Sequence, residues 1–377
     1  FQIVESNREL VDAELLQVMA QVAEQLRAEG KQNRAEVLLG LRSELLEILG
    51  ISETPTSANH SCQDYLEFLT EVLLATDNSD SNPKVVYPLL GANLDKLDDN
   101  FIDILETWAS AKLSEAEAEY IARVIWEFSN LIQQCPLGNK ANNIEIAIAG
   151  YKQVLKVFTR ESKRQSWAAI QTNLGEAYRN RIRGDRAENL EIAITQYQRA
   201  LSVYTKSDFP IYWAMTQINL GDAYRNRIHD HRAENLEKAI ARYQLASSVY
   251  TQSDFPIEWA QTQTNLGNAY SDRIRGDRAE NLELAIEAFQ RALSVYTQED
   301  FPMEWVQTQT NLGNAYSDRI RGDRAKNLEL AIEAFQQASS VRTTQDFPMA
   351  WAMTQSNPQN NLGLPIMTES VVIGKRI

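Results

Sequence analysis

The chain has 377 residues, of which 44% are hydrophobic and 23% are charged, an ordinary balance for a globular protein. Glycine and proline are sparse, at 15 and 10 residues, which excludes collagen-like and low-complexity material. No run of apolar residues is long enough to cross a membrane, and the two cysteines, Cys62 and Cys135, cannot form a disulfide framework. We therefore expect a cytoplasmic protein with no membrane partner.

The negative charge of the chain lies almost wholly in its first third. Residues 1–120 carry 8 lysines and arginines against 23 aspartates and glutamates, a net charge of −15, whereas residues 121–377 carry a net charge of +1. The total of −14 disfavours a non-specific nucleic-acid partner. The change in charge predicts a domain boundary near residue 120.

Residues 1–120 are predicted to form an acidic helical region. In chain order the apolar periodicity predicts helices at residues 8–29, 31–49, 64–74, 98–111 and 114–133, with loops at 54–61 and 77–83. Ser114 and Glu117 match a capping box at the start of the last of these helices. Such a region is suited to cover the open end of a repeat array, because a terminal repeat needs a polar outer face.

From residue 121 the sequence repeats with a period of 46 residues. The repeated tryptophans are Trp167, Trp213, Trp259, Trp305 and Trp351. Residues 121–166 form a divergent first repeat, 167–350 contain four regular repeats, and 351–363 begin a broken fifth repeat. A tryptophan at one helical phase in every repeat favours packing between repeats over a binding surface.

Each repeat is predicted to be a pair of amphipathic helices. In the repeat that begins at Trp259, Pro256 suits the first turn of the first helix, and Asp254 is a candidate N-cap. Gly276 breaks that helix, and Asn281 is the predicted N-cap of the second helix. Small residues such as Gly267 allow close packing of the two helices.

The string NLGxAY followed by AIxxYxxAL resembles the tetratricopeptide repeat, whose usual length is about 34 residues. The 46-residue unit keeps this signature and has longer helices or turns at both ends, and it is similar to the long repeats of cyanobacterial proteins. The resemblance implies an all-α fold, a right-handed superhelical solenoid of helix–turn–helix repeats. In that group the array often precedes a C-terminal CHAT domain, a caspase-like peptidase.

The repeat pattern is lost near the C-terminus. The residues SNPQ interrupt the fifth repeat at 356–359, and after Gly363 no repeat remains. Read one base early, codons for Pro365–Ile377 permit AYNDRIRGDREKN, which agrees at 11 of 13 positions with residues 315–327. Residues 364–377 are therefore predicted to be an out-of-frame tail, and the chain a truncated version of a longer gene product.

No residue pattern predicts catalysis. The three histidines, His60, His229 and His231, have no second pair at zinc-ligand spacing, and no nucleophile elbow or phosphate-binding loop is present. A CHAT peptidase would carry its histidine and cysteine in its own domain, so the resemblance assigns no role to Cys62 or Cys135. We expect a non-enzymatic protein with no catalytic residue, metal or cofactor.

The candidate partner-binding residues are polar positions that recur on the first helices. An asparagine precedes each Leu-Gly pair, the next turn carries Asp or Asn, and arginines follow in two repeats; these residues are Asn173, Asn219, Asn265, Asn311, Asp222, Asn268, Asn314, Arg179 and Arg225. The resemblance implies that such asparagines line a concave groove and hold a ligand backbone through an amide that both donates and accepts. The alternative is that they bond neighbouring helices and hold the superhelix together.

A second series of arginines recurs near the end of the first helix and in the following turn: Arg181, Arg227, Arg273, Arg319, and Arg186, Arg232, Arg278, Arg324. They suit either an acidic peptide or, as the near-neutral charge of the repeats favours, carbonyl capping and pairing with acidic residues.

The resulting expectation is an interaction scaffold that binds a protein or peptide in its concave groove. The alternative is the regulatory or sensor arm of a CHAT-type peptidase, acting in cis or in trans, whose catalytic domain is missing from this chain.

Overall fold

A computed structural model describes residue 19, residues 22–23 and residues 60–340 of the chain. In residues 60–340 it shows helices and no strand. The helices are α1 Cys62–Asn78, α2 Pro83–Gly91, α3 Asp99–Lys112, α4 Ala118–Gln134, α5 Lys140–Val154, α6 Arg164–Arg179, α7 Arg186–Leu201, α8 Pro210–Asn226, α9 Arg232–Ser247, α10 Pro256–Asp272, α11 Arg278–Leu293, α12 Pro302–Asp318 and α13 Arg324–Ser340, with a short 3₁₀ turn at Leu94–Lys96. The predicted all-α repeat fold is confirmed.

Several predictions fall on other residues. The helix at 31–49, the broken fifth repeat at 351–363 and the tail at 364–377 lie outside the described residues, as does nearly all of the helix at 8–29.

Helices α4 to α13 form five pairs that follow one another along the chain. In each pair the first helix (α4, α6, α8, α10, α12) packs along the second helix (α5, α7, α9, α11, α13), and the second helix packs against the first helix of the next pair. Successive first helices also touch, whereas successive second helices in the regular repeats show no comparable contact. The row of first helices is therefore the inner, concave side of the solenoid.

Each of the four regular pairs, α6–α7 to α12–α13, is held together by an aromatic ring that lies on a glycine. A Cβ atom added to Gly267 would come within 2.5 Å of the Phe289 ring, and one added to Gly221 within 2.6 Å of the Tyr243 ring. Gly175 and Gly313 meet Tyr197 and Phe335 in the same way. The glycine of each Leu-Gly pair thus lets the second helix approach closely, as the sequence predicts.

The turn between the helices of a pair follows a common design, with one correction to the sequence analysis. Gly276 has φ +82°, a left-handed conformation that glycine adopts without strain. The N-cap of α11 is Asp277, which accepts a hydrogen bond from the Glu280 amide at 2.8 Å or less, and not Asn281. Asn281 lies within the helix, and its side-chain amide donates to the Arg275 carbonyl at 2.8 Å. The helix starts earlier than predicted because the aspartate directly follows the turn glycine.

The connection to the next pair also differs from the prediction in its cap. Pro256 occupies the first turn of α10 as expected, but the N-cap is Phe255, which makes no side-chain hydrogen bond. Asp254 is not the cap; its carboxylate accepts a hydrogen bond from the Thr251 hydroxyl at 2.9 Å within the preceding turn. The Phe255 ring packs edge-on against Tyr250 at 5.5 Å, so packing fixes the start of this helix.

The acidic region before the repeats shares their core. The rings of Phe68 in α1, Phe101 in α3 and Phe128 in α4 are fully buried and lie 5.4 and 6.2 Å apart in succession. The predicted helices at 64–74 and 98–111 are confirmed within α1 and α3. The predicted capping box is wrong: α4 begins at Ala118, and the Ser114 hydroxyl instead donates to the Ala111 carbonyl at 2.6 Å, closing the end of α3.

Candidate functional site: the concave face of the first helices

The concave face is built from one stripe of each first helix. In α8 the stripe runs through Tyr212, Met215, Asn219 and Asp222, spaced three or four residues apart as one helical face requires. Equivalent positions in α6, α10 and α12 carry the predicted asparagines Asn173, Asn265 and Asn311. The repeated geometry therefore sets four asparagines in a row, one per regular repeat.

Three of these four asparagines bond the preceding first helix. The side-chain amide of Asn173 donates to the Asn130 side-chain oxygen at 2.7 Å, and that of Asn311 donates to Asn268 at 3.0 Å. Asn265 donates to the Asp222 carboxylate at 3.3 Å. These contacts join residues 43 positions apart, so they form a ladder of hydrogen bonds along the first helices, with one bond as each rung. The ladder holds successive repeats together.

Asn219 differs from the other three asparagines. It is half-buried, and its side chain makes no hydrogen bond within the described part of the chain. The residue that would accept a hydrogen bond from the Asn219 amide is Glu176. Its side chain is longer than that of the Asn or Asp that accepts at the other rungs. The ladder is therefore interrupted between α6 and α8, which the repeated sequence did not reveal.

Charged residues surround this interruption. An Arg179 Nη1 lies 3.5 Å from an Asp222 carboxylate oxygen, and the Tyr243 hydroxyl donates to the other oxygen at 2.8 Å. Burial raises the pKa of the Asp222 carboxyl, while Arg179, Tyr243 and Arg225 act in the opposite direction. The predicted site residues Arg179 and Asp222 thus pair with each other, and the Arg225 Nε donates to Asp272 at 3.3 Å.

Two buried polar groups near Glu176 lie close to each other and make no hydrogen bond of good geometry within the described part of the chain. These are the Tyr197 hydroxyl and the Arg179 Nε. The equivalent hydroxyl of Tyr243 has a carboxylate acceptor, and that of Tyr151 bonds Asn130 at 2.9 Å. Burial raises the pKa of Tyr197, which keeps its hydroxyl protonated.

The arginines near the ends of the first helices form ion pairs with glutamates, which is the interpretation that the charge balance of the sequence favoured. Each arginine near the end of a first helix makes two hydrogen bonds of 2.6–2.8 Å to a glutamate on the preceding second helix. The pairs are Arg181–Glu145, Arg227–Glu191, Arg273–Glu237 and Arg319–Glu283. Hydrogen bonding to Arg273 lowers the pKa of Glu237 despite some desolvation, and Arg319 does the same for Glu283.

The turn arginines cap helix ends. Arg186, Arg232, Arg278 and Arg324 each donate to a backbone carbonyl at the end of the first helix, that of Arg179, Arg225, Ser271 or Ser317. Both arginine sets therefore stabilise the array and leave few arginines for an acidic ligand.

The tryptophans pack between repeats. Trp167 and Trp213 lie against a buried cluster that contains Tyr204, and Trp259 and Trp305 lie against the equivalent cluster that contains Tyr296. The predicted packing function is confirmed for these four; Trp351 lies outside the described residues.

The three histidines lie away from the concave stripe. His229 and His231 are exposed in the turn before α9, and His60 Nε2 lies 2.8 Å from an Asp95 carboxylate oxygen before α1. Within residues 60–340, no group of three histidine, cysteine or acidic side chains is placed to hold a metal ion. Cys62 is exposed and Cys135 is buried.

Residues 60–340 form several pockets, among them two between neighbouring helices. One, of about 170 Å³, lies between α1, α3 and α4 and is lined by apolar residues that include Leu73, Trp108 and Ile121. The other, of about 320 Å³, lies between α10 and α12 and is lined by Asn265, Tyr296 and Glu304 among others. The second pocket opens beside the row of asparagines and was not predicted.

One family model matches part of the array. The model of the tetratricopeptide repeat matches residues 259–302, which cover most of α10, all of α11 and the start of α12. This helix pair is therefore similar to a tetratricopeptide repeat. Repeats of this type commonly mediate protein–protein interactions.

A solved structure of BtubC (BKLC) from P. vanneervenii is similar over 84% of this chain and 100% of its own, with 17% identity and a TM-score of 0.39. None of the curated proteins matches the chain. Among the described residues, no helix combines the length and the apolar character that a membrane crossing needs.

Proposed function

We propose that this tetratricopeptide-type array is a non-enzymatic scaffold that binds a peptide or an extended segment of a partner protein along its concave face. The observation that carries the proposal is the stripe on α8. Tyr212 and Met215 are 44% and 38% exposed there, next to the side-chain amide of Asn219, which has no hydrogen bond in the described part of the chain. An exposed apolar pair beside an uncommitted amide suits an apolar side chain and the adjoining main chain of a ligand.

The stripe on α8 is distinct from its neighbours. Positions equivalent to Tyr212 and Met215 are Ser166 and Ala169 in α6, and glutamate and glutamine in α10 and α12. The larger apolar side chains of α8 thus follow small residues at the equivalent positions of the preceding first helix, α6. The predicted site thereby narrows to the region around Asn219, with Arg179, Arg225 and Asp222 forming its charged border and Asn268 and Asn314 extending it along the array.

The test compares two asparagines that occupy equivalent positions. Random twelve-residue peptides displayed on phage are selected on the purified chain, and selected peptides are then measured by fluorescence anisotropy. Asn219→Ala is expected to weaken binding by about fivefold or more without lowering Tm, because its amide bonds a ligand and no residue of the chain. Asn173→Ala is expected to lower Tm, because it breaks the bond to Asn130, and to change affinity little.

A second variant locates the site by blocking it. Met215→Arg places a long charged side chain on the stripe and is expected to abolish peptide binding, whereas Ile228→Arg, at an exposed position in the turn, is expected to preserve it. Peptides that bind the Asn219→Ala and Met215→Arg variants as tightly as the original chain would contradict the proposal.

The alternative, a regulatory arm of a CHAT-type peptidase, rests on the sequence resemblance and stays a prediction, as does the cytoplasmic location. Coding sequence for a histidine- and cysteine-containing domain downstream in the shifted frame would support the regulatory arm, and its absence would remove it.

A further inference from the structure

The concave face changes charge along the array. Helices α10 and α12 carry only acidic charges, Glu258 and Asp272 in the first and Glu304 and Asp318 in the second, and neither helix contains a lysine or an arginine. Helices α6 and α8 carry Arg179 and Arg225 at the equivalent stripe. A ligand that lies along the whole face therefore meets a region of uniformly negative charge at α10 and α12.

The four carboxylates are not equally available. Asp272 lies 3.3 Å from the Arg225 guanidinium, and Asp318 lies 3.8 Å from Arg278. Glu258 and Glu304 have no ion pair and no side-chain hydrogen bond within residues 60–340. Two uncompensated negative charges thus remain on the concave side of adjacent repeats.

The pocket of about 320 Å³ lies between α10 and α12, the two helices that carry these charges. Glu304 lines it, together with Gln261, Gln307, Met303 and Tyr296. The Tyr296 hydroxyl donates to the Ile257 carbonyl at 3.3 Å. Glu258 directly follows Ile257, so its backbone lies beside this tyrosine. Burial, together with the charges of Glu304 and Glu258, raises the pKa of Tyr296 to about 12.

We infer that this pocket binds the cationic side chain, a lysine or an arginine, of the segment that occupies the concave face. The inference rests on the proposed function and adds the chemistry of the partner. The Glu304 carboxylate pairs with the cation, and the charge of Glu258 in the adjacent repeat adds to the negative potential. The amide oxygens of Gln261 and Gln307 accept its remaining hydrogen bonds, and Met303, which is 44% exposed, contacts its aliphatic stem. A metal ion fits less well, because the described residues offer no group of three ligands.

The experiment uses the peptides selected on phage as the probe. The selected sequences are expected to share a lysine or an arginine at a fixed distance from an apolar residue. The double variant Glu258→Gln/Glu304→Gln keeps the shape of both side chains and is expected to weaken binding by about tenfold or more. The matched control is Glu287→Gln/Glu329→Gln, which removes the same charge from the second helices α11 and α13 and is expected to change affinity less than about twofold.

The outcomes separate this inference from the proposed function. Peptides that lose binding to the Asn219→Ala and Met215→Arg variants but bind Glu258→Gln/Glu304→Gln with unchanged affinity would overturn the cationic pocket and leave the concave site standing. Selected peptides without a basic residue would do the same. Peptides insensitive to all of these variants would overturn both.

Discussion

The two N-terminal regular pairs, α6–α9, and the two C-terminal pairs, α10–α13, share one backbone arrangement. They differ in the side chains at three equivalent positions. Three positions change together: Glu176 and Asp222 become Asn268 and Asn314, Arg179 and Arg225 become Ser271 and Ser317, and Tyr197 and Tyr243 become Phe289 and Phe335. A buried tyrosine hydroxyl needs an acceptor, and a buried carboxylate needs a cation. Tyr243 and Asp222 meet both needs, whereas the Tyr197 hydroxyl has no acceptor in the described part of the chain. The phenylalanines of the C-terminal pairs remove the need for an acceptor.

This comparison shows which interactions the repeat requires. The glycine under the aromatic ring and the arginine–glutamate pair occur in both regions. The charged triplet occurs only in the N-terminal pairs, where the hydrogen-bonded ladder is also interrupted. The shared contacts therefore maintain the solenoid, and the variable triplet is free to differ along the concave face.

The largest expected effect tests a contact that both regions share. Gly267→Ala places a methyl group 2.5 Å from the Phe289 ring, and Gly221→Ala places one 2.6 Å from Tyr243. Replacing an exposed helical glycine by alanine would raise the free energy of unfolding by about 1 kcal/mol. Here the overlap with the ring should instead lower it by about 2–3 kcal/mol in both regions. Urea unfolding measures it, with the exposed Gln261→Ala as a control. A gain in stability at either site would show that the close approach is not needed.

The next effect distinguishes the two tyrosines of the N-terminal pairs. Tyr243→Phe removes a hydrogen bond of 2.8 Å to the buried Asp222 carboxylate, and should cost about 1–2 kcal/mol of unfolding free energy. Tyr197→Phe removes a buried hydroxyl that has no partner, and should be neutral or slightly stabilising. Equal losses in the two variants, measured by urea unfolding, would mean that Tyr197 has an acceptor after all.

The arginine–glutamate pairs should give a smaller effect with a defined pH dependence. Glu237→Gln weakens the bond to Arg273 and should cost about 1 kcal/mol near pH 7. Because the pKa of Glu237 is lowered in the folded chain, its stabilisation is complete above the carboxyl pKa of the unfolded chain and is lost as pH falls through the lowered value.

The desolvated Asp222 carboxyl changes the stability of the folded chain with pH in the opposite direction. Its raised pKa destabilises the folded chain at neutral pH, and this cost disappears as pH falls through the raised value. Between about pH 7 and pH 3 the Tm difference between the original chain and Glu237→Gln should therefore shrink, while that for Asp222→Asn should not follow the same course. A constant difference for Glu237→Gln would contradict the pairing; the exposed Glu329→Gln serves as control.

The smallest effect concerns the turn before α9, which lacks the aspartate N-cap found before the second helices of the other regular pairs. Asp185 and Asp277 cap α7 and α11 with hydrogen bonds of 2.7–2.8 Å, whereas His231, at the same position before α9, makes no side-chain cap. His231→Asp should raise the free energy of unfolding by about 0.5–1 kcal/mol. Thermal unfolding measures the gain, and the exposed His229→Asp should leave Tm unchanged. No gain from His231→Asp would show that this turn cannot present a cap.

The predictions that Ser114, Asp254 and Asn281 cap helices are wrong for one reason. Each is a good capping residue close to a helix start, and each uses its polar side chain within a few residues of that start. The residue type signals that a helix begins nearby, but packing such as that of Phe255 against Tyr250 decides where.

The sequence by itself determined the period, the helix pairs and the close packing at small residues such as Gly267, and it favoured capping and pairing for the arginines, because these follow from the repeat pattern and the charge balance. The tertiary structure decided which of the equivalent asparagines are engaged, that Asn219 is not, and that Glu304 lines a pocket between α10 and α12. The asparagine contacts join residues 43 positions apart in different repeats. Their distances depend on how the helices stack, and side chains that differ by one methylene, such as Glu176 and Asp222, fill the same rung differently.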